Sequence, residues 1–145
     1  ARVAAVAQRA VRQVAGNPDP FRKVKQGELA FAAVAVEELK PRFGDDWTGL
    51  LSLAALGNTV DFFRDLEVVA QEMEQPVDFV INQIPAFVDR LASTRCLLFL
   101  TDNAAECYFD LPLYQKLCRT VEEVVYVVKF QFLIGRLAAW AAEAE

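Results

Sequence analysis

The chain has 145 residues, which is long enough for one domain with a sizeable core and too short for two. Hydrophobic residues make up 54% of the sequence, a fraction that excludes an intrinsically disordered chain. The excess of 20 acidic over 15 basic residues gives a net charge of −5, which argues against nucleic acid as the main partner. Because the sequence has no histidine, it excludes a serine or cysteine nucleophile with a histidine base, and also a histidine-based zinc site.

The cysteine content and the distribution of apolar residues indicate the cellular compartment of the protein. The three cysteines form no CxxC pair and are odd in number, which is typical of reduced thiols in a reducing compartment. No stretch reaches the roughly 18 uninterrupted apolar residues that a membrane helix needs, and the N-terminal segment lacks a signal-peptide pattern. We therefore predict a cytoplasmic protein without a membrane partner, and the sequence leaves its oligomeric state open.

The first two thirds of the chain predict helices, because apolar residues recur there at the spacing of one helix face. The third of these helices is apolar almost all round and should therefore lie at the centre of the helical part. The predicted helices run over residues 3–14, 21–40 with Pro41 as the end, 48–56, 59–73, and 76–91 with Pro85 as a kink.

The pattern changes at Cys96. Two short apolar runs, 96–101 and 124–128, flank a helical segment over 104–118, and this order predicts a β-α-β unit with parallel strands. The predicted fold class is therefore a mixed one. A helical N-terminal subdomain, residues 1–94, is followed by the β-α-β-α beginning of an α/β/α core, residues 95–145, whose tail forms a closing helix.

Polar side chains follow the first predicted strand directly. Asp102 and Asn103 stand at its end, and Glu106 comes four residues after Asp102. In open α/β sheets, ligands bind beyond the carboxyl ends of the strands, and carboxylate and amide oxygens suit Mg²⁺ or Mn²⁺. The alternative is that Asp102 or Asn103 caps the following helix, which Asp and Asn do routinely. The residues by themselves leave both interpretations open.

A second polar pair lies in the helical part. Asn58 and Asp61 are three residues apart, so they share one face of a helix. Burial of a polar group costs free energy unless the group forms hydrogen bonds with other polar groups. We therefore expect both side chains to point toward Asp102. The simpler alternative is that Gly57 permits close helix packing and that Asn58 caps the next turn.

Four segments of the sequence occur together in one protein family. They are Asp19-Pro20-Phe21-Arg22-Lys23-Val24-Lys25, Gly57-Asn58-Thr59-Val60-Asp61, the stretch 100–110 (Leu-Thr-Asp-Asn-Ala-Ala-Glu-Cys-Tyr-Phe-Asp), and Val127-Val128-Lys129. Through these segments the chain resembles the metal-dependent damage-control phosphatases, formerly known as domain of unknown function eighty-nine. Over 102–110 it resembles their archaeal and bacterial branch, with Ala105 where a glycine is usual. The resemblance covers residues 1–130.

The resemblance implies a metal-dependent phosphatase that hydrolyses small phosphorylated metabolites, with Mg²⁺, Mn²⁺, Co²⁺ or Ni²⁺ as cofactor. Asp102 and Asn103 match the metal-binding pair, and Glu106 matches the acidic residue after it. Asp102, Glu106 and Asp61 are then the expected catalytic residues.

Two further positions complete the implied site, since Asn58 and Lys129 match residues that bind the substrate. A further Asn-Asp motif of the family, which follows the Val-Val-Lys strand, has no counterpart in this sequence, so we expect a truncated or incomplete member. A second hypothesis, from a different class, is a non-catalytic helical protein-interaction module in which Asp102 and Asn103 only cap a helix.

Overall fold

The structure is a computed structural model that describes residues 2–60 and 65–128. Within these residues, no helix combines the length and apolarity needed to span a membrane. The elements are, in chain order, α1 (Arg2–Ala15), α2 (Arg22–Phe43), α3 (Trp47–Gly57), α4 (Leu66–Met73), α5 (Ile84–Leu91), β1 (Cys96–Leu100), α6 (Glu106–Thr120) and β2 (Glu123–Val127).

The predicted fold class is confirmed. Helices fill the chain up to Leu91, and no strand precedes Cys96 in the described residues. Strands β1 and β2 pair in parallel, with Cys96 opposite Glu123 and Leu100 opposite Val127. A tight turn cannot join parallel strands, so α6 serves as the crossover between them. The predicted closing helix over 132–145 lies outside the described residues, and the division at residue 94 stays a prediction.

The two prolines expected to end or bend helices do neither. Pro41 lies inside the last turn of α2, which continues to Phe43. Phe43 packs against the core, and this contact offsets the backbone hydrogen bond that the proline removes. Pro85 lies in the first turn of α5, where a missing N–H costs nothing, so that helix begins at Ile84 and not at residue 76.

The start of α4 also differs from the prediction of a helix over 59–73. Thr59 lies in a turn after α3 and Val60 in no regular element, while residues 61–64 are outside the described part. The helix begins at Leu66, where the Asp65 carboxylate accepts a hydrogen bond from the Glu67 N–H at 2.8 Å. A side-chain cap therefore sets this boundary, which the apolar periodicity did not reveal.

Helix α3 lies at the centre of the fold, as its apolar sequence predicted. It contributes to two clusters of buried apolar side chains, one shared with α2, α4 and α6, the other with α5, α6 and the strands. Leu53 of α3 and Phe109 of α6 are both 0% exposed in the first cluster. The helical part and the β-α-β unit are therefore held together by common cores, and α6 takes part in both.

The small sheet is covered on one face. Tyr126 of β2 stacks on Phe99 of β1 with ring centroids 5.3 Å apart, and Tyr114 of α6 meets Tyr126 edge-on at 5.2 Å. Leu98 and Leu100 alternate with Phe99 and point the other way, where they are 63% and 73% exposed.

Gly57 sets the distance between α3 and α6. A Cβ atom at this position would lie 2.8 Å from Phe109 Cβ and 3.1 Å from its Cγ. Real carbon atoms do not approach so closely, and Phe109 has no solvent to move into. The glycine therefore permits the close packing that places the carboxyl end of α3 beside the start of α6.

We expect Gly57→Ala to lower the free energy of unfolding by about 1–3 kcal/mol, the usual effect of overpacking a core. Urea denaturation measures the change. Gly27 offers the matched control, because it lies within α2 with nothing within 4 Å of the added Cβ. Gly27→Ala should stabilise by roughly 0.5–1 kcal/mol through helix propensity. Equal effects of the two substitutions would contradict a close α3–α6 contact at Gly57.

Candidate functional site

The segment between β1 and α6 is anchored at the edge of the sheet. The Thr101 N–H and hydroxyl both donate to the carbonyl oxygen of Val127, at 2.9 and 3.0 Å. Asp102 and Asn103 follow this anchor and therefore lie just beyond the carboxyl end of β1. The structure thus puts the two residues at the sheet edge that the sequence indicated.

The start of helix α6 is relevant to the alternative hypothesis that Asp102 or Asn103 caps this helix. Helix α6 begins at Glu106, and its N-cap residue is Ala105, whose side chain makes no capping hydrogen bond. Neither Asp102 nor Asn103 occupies the N-cap position, since they precede it by three and two residues. Ala105 itself has helical backbone angles, φ −68° and ψ −31°, so this boundary by itself does not separate a capping role from a ligand role for Asp102 and Asn103.

The polar residues at this edge border a cleft of about 400 Å³. Asp102 contributes from the segment after β1, and Glu106 and Asp110 contribute from the first two turns of α6. Asn58, the C-cap residue of α3, lies on the same cleft. Asn58 and Asp102 therefore line one cleft although they come from distant parts of the chain. Asn58 is exposed, however, and its Nδ2 donates to the Ala54 carbonyl oxygen of its own helix at 3.4 Å, so the expectation of a buried side chain directed at Asp102 is not met.

Two of the predicted site residues, Asp61 and Lys129, lie outside the described residues. Their expected roles in catalysis and in phosphate binding stay predictions. The roles assigned to Asn58, Asp102, Asn103 and Glu106 are likewise predictions, although the structure gives their positions.

Asn103 and Glu106 are joined directly. The Asn103 side-chain nitrogen Nδ2 donates a hydrogen bond to Glu106 Oε1 at 2.8 Å. Glu106 is 5% exposed, so this bond satisfies a carboxylate that is largely removed from water. Asn103 is half-buried and is absent from the walls of the cleft, whereas Glu106 lines it.

A second buried carboxyl group, Asp110, is a site residue to which the sequence reasoning assigned no role. It is 6% exposed, lies one helical turn after Glu106, and accepts a hydrogen bond from the Tyr126 hydroxyl at 3.4 Å. Its spacing of four residues from Glu106 on one helix face was the available signal. The partner Tyr126 could not be found from spacing, because it comes from β2.

Burial and, to a smaller extent, the negative charge of Glu106 raise the pKa of Asp110 from 3.8 to about 7. The hydrogen bond from Tyr126 acts in the opposite direction. Burial also raises the pKa of Tyr126, so its hydroxyl keeps its proton and remains a donor to Asp110. The carboxyl group of Asp110 therefore keeps its proton below about pH 7.

The raised pKa predicts a pH dependence of stability. An unfolded aspartate titrates near pH 3.9, so between about pH 4 and 7 the unfolded chain releases a proton that folded Asp110 retains. The contribution of Asp110 to stability is therefore complete below about pH 4 and falls, by up to about 4 kcal/mol, as the pH rises to 7. Asp110→Asn should remove this fall.

Urea denaturation of the wild type and of Asp110→Asn, from pH 4.5 to 8, measures the difference between the two stability curves. Asp89→Asn is the control, because Asp89 is exposed on α5 and outside the cleft. Parallel curves for the wild type and Asp110→Asn would show that Asp110 ionises normally in the folded chain.

The charges of the cleft determine which ligands it accepts. Three carboxyl groups, those of Asp102, Glu106 and Asp110, line it, and no lysine or arginine is among its described walls. Oxygen donors of this kind suit a hard divalent cation. Within residues 2–60 and 65–128, however, no three His, Cys, Asp or Glu side chains converge closely enough to hold a metal by themselves. The described residues thus supply the right donor chemistry but only part of a coordination shell.

The rest of the cleft is apolar. Leu51, Ala54 and Ala55 of α3 line it together with Phe99 and Leu100 of β1. The cleft therefore combines a few polar groups with a largely apolar lining, as many small-molecule sites do.

The chain is similar to known proteins over most of its length. The sequence model of the damage-control phosphatase ARMT1-like domain matches residues 1–131. The chain is similar to the damage-control phosphatase PH1575 of Pyrococcus horikoshii, with 27% identity over 117 residues, or 77% of this chain and 40% of that protein.

The fold is similar to that of a solved structure. The crystal structure of the DUF89 family protein PH1575 from Pyrococcus horikoshii matches with a TM-score of 0.66 and 24% sequence identity. The match covers 81% of this chain and 43% of that one, so the chain spans less than half the length of these relatives. Because the family model extends over nearly the whole sequence, the chain belongs to the damage-control phosphatase ARMT1-like domain family.

Proposed function

We propose that this chain carries part or all of the active site of a metal-dependent phosphatase that hydrolyses small phosphorylated metabolites. The observation that carries the proposal is the set of three carboxyl groups and one amide, from α3, the β1–α6 segment and α6, on one cleft at the carboxyl end of β1.

Charge explains why a cation belongs in this proposal. A phosphate monoester carries up to two negative charges, and the described walls of the cleft carry acidic groups without a lysine or arginine. Like charges at such short range in a partly buried site repel strongly. A divalent cation would offset most or all of this negative charge, and it would also polarise a phosphoryl oxygen and orient the attacking water.

The residues divide into two groups in this proposal. Asp102 and Asn103 would hold the divalent ion through their side-chain oxygens, and Asp61 or Glu106 would complete its shell or position the attacking water. Asn58 and Lys129 would bind the substrate, and the lysine would offset the charge of the phosphate.

The competing hypothesis of a helical interaction module requires Asp102 and Asn103 to be caps. Asp102 also lies at the sheet edge on the same cleft as Asn58, Glu106 and Asp110, which a residue that only caps a helix has no need to do. This observation favours the phosphatase. The predicted cytoplasmic location and the lack of a nucleic-acid partner stay predictions from the sequence.

A phosphate-release assay tests the proposal. The full chain is treated with a chelator and then supplied with Mg²⁺, Mn²⁺, Co²⁺ or Ni²⁺ in the presence of a panel of sugar phosphates. We expect no phosphate release after chelation and recovery with at least one of the ions. Because the described residues offer an incomplete shell, recovery should need a high concentration of metal. Release that is equal with and without metal would contradict the metal dependence, and no release under any condition would show that the chain carries only part of an active site.

A further inference from the structure

The amide group of Asn103 is held in one orientation. Its Nδ2 donates to Glu106 Oε1 at 2.8 Å, and a carboxylate acceptor makes such a bond about twice as strong as a neutral one. An asparagine side chain has its donors on the nitrogen and its acceptor on the oxygen. With the nitrogen bonded to Glu106, the oxygen Oδ1 must therefore point away from that carboxylate.

This orientation matters because only the oxygen of an amide can bind a hard cation. If the amide turned over, it would present an NH₂ group where the ligand oxygen is needed. Glu106 opposes that rotation, because turning would place the amide oxygen against a carboxylate oxygen and leave the 5%-exposed carboxylate without this donor.

The surrounding contacts hold both partners in place. The Cys107 thiol lies 3.9 Å from the backbone carbonyl oxygen of Asn103, within hydrogen-bonding distance for sulfur, and ties that segment to α6. Asp110, one turn further along α6, is bonded to Tyr126 of β2, so the helix that carries Glu106 is fixed against the sheet. Glu106 therefore acts from a rigid helix and not from a mobile loop.

We infer that Glu106 is a positioning residue, which fixes the Asn103 amide with its oxygen available as a ligand, and that this role replaces the ligand or water-positioning role considered for Glu106 above. The proposed function supplies the reason for this orientation, and in that respect the inference rests on it. The orientation itself is present in the metal-free chain. The inference predicts that an uncharged residue with an oxygen in the place of Oε1 suffices at position 106.

Two substitutions separate this role from the alternatives. Glu106→Gln keeps an oxygen that can accept from Asn103 but removes the charge, and Glu106→Ala removes both. Glu38→Ala is the matched control, because Glu38 is exposed on α2 and away from the cleft.

The first measurement uses the metal-free full chain. The Asn103 side-chain amide resonance is assigned by its absence from the spectrum of Asn103→Ala. Its exchange with solvent should be at least about tenfold slower in the wild type and in Glu106→Gln than in Glu106→Ala. Equal exchange rates in wild type and Glu106→Ala would overturn the inference.

The second measurement is calorimetric titration with Mn²⁺. Glu106→Ala should bind about 10–100-fold more weakly than wild type, the usual cost of removing a group that orients a metal ligand. Glu106→Gln should regain most of that loss, and Glu38→Ala should bind like wild type. Equal weakening in the Gln and Ala variants would mean that Glu106 acts through its charge, as a ligand, and would overturn the inference.

The two proposals can fail separately. A wild-type chain that binds no Mn²⁺, but whose Asn103 amide depends on residue 106 as described, would contradict the metal-dependent function and support the positioning role. Mn²⁺ binding that is indifferent to both substitutions at position 106 would support the metal site and contradict the positioning role.

Discussion

Replacement of Asp102 by alanine is expected to lower metal-dependent phosphate release by the full chain more than about 100-fold, since groups that merely orient a ligand already cost 10–100-fold. Asp102 is the carboxylate that stands at the carboxyl end of β1 and lines the cleft. Its removal takes away the one charged member of the predicted metal-binding pair, so calorimetric titration with Mn²⁺ should show a parallel loss of affinity.

The stability of the variant separates a site residue from a structural one. Asp102 is exposed, so Asp102→Ala should unfold in urea within about 0.5 kcal/mol of wild type. Asp89→Ala, an exposed aspartate outside the cleft, is the control for charge and should retain both activity and affinity. Indistinguishable titration curves for the wild type and Asp102→Ala would reduce Asp102 to a structural residue of the strand–helix turn.

Replacement of Phe109 by alanine is expected to lower the free energy of unfolding by about 3–5 kcal/mol, which is a large part of the stability of a domain of this size. Phe109 is 0% exposed and lies in the cluster where α6 meets α2, α3 and α4. The substitution opens a cavity at the centre of the fold, and the surrounding helices can close it only in part. Urea denaturation at a fixed pH measures the change.

Two further variants make this prediction specific. Val80→Ala shortens a side chain that is 99% exposed and should change the stability by less than about 0.5 kcal/mol. Gly57→Ala combined with Phe109→Ala should cost less than the two single changes predict together, because loss of the ring removes two of the three close contacts of the added methyl group and leaves a cavity into which the Cβ of residue 109 can shift. Additive effects would indicate that the ring of Phe109 does not restrain position 57.

The elements at the sheet edge could be predicted from sequence because their signals are local. The apolar runs on either side of α6 differ in period from the helices before them, and a strand–helix–strand order leaves parallel pairing as the accessible arrangement. The same segment placed Asp102 and Asn103 at the end of β1, since a polar pair directly after an apolar strand can lie nowhere else. Prolines are weaker signals. Pro85 suits both a helix interior with a kink and a first helical turn, and its position in α5 depends on which residues before it are helical.

The sequence by itself determined the order of helices and strands, the parallel sheet edge and the residue types that meet a ligand there, because periodicity and strand ends are properties of neighbouring residues. Only the tertiary structure decided which distant groups share the cleft. Asn58 comes to the same cleft as Asp102 because Gly57 lets α3 pack against Phe109, and Asp110 accepts a hydrogen bond from Tyr126 of another element. The tertiary structure also buries Glu106 and pairs it with Asn103, since burial and hydrogen-bond partners are set by packing between distant parts of the chain, which the spacing of residues along it does not specify.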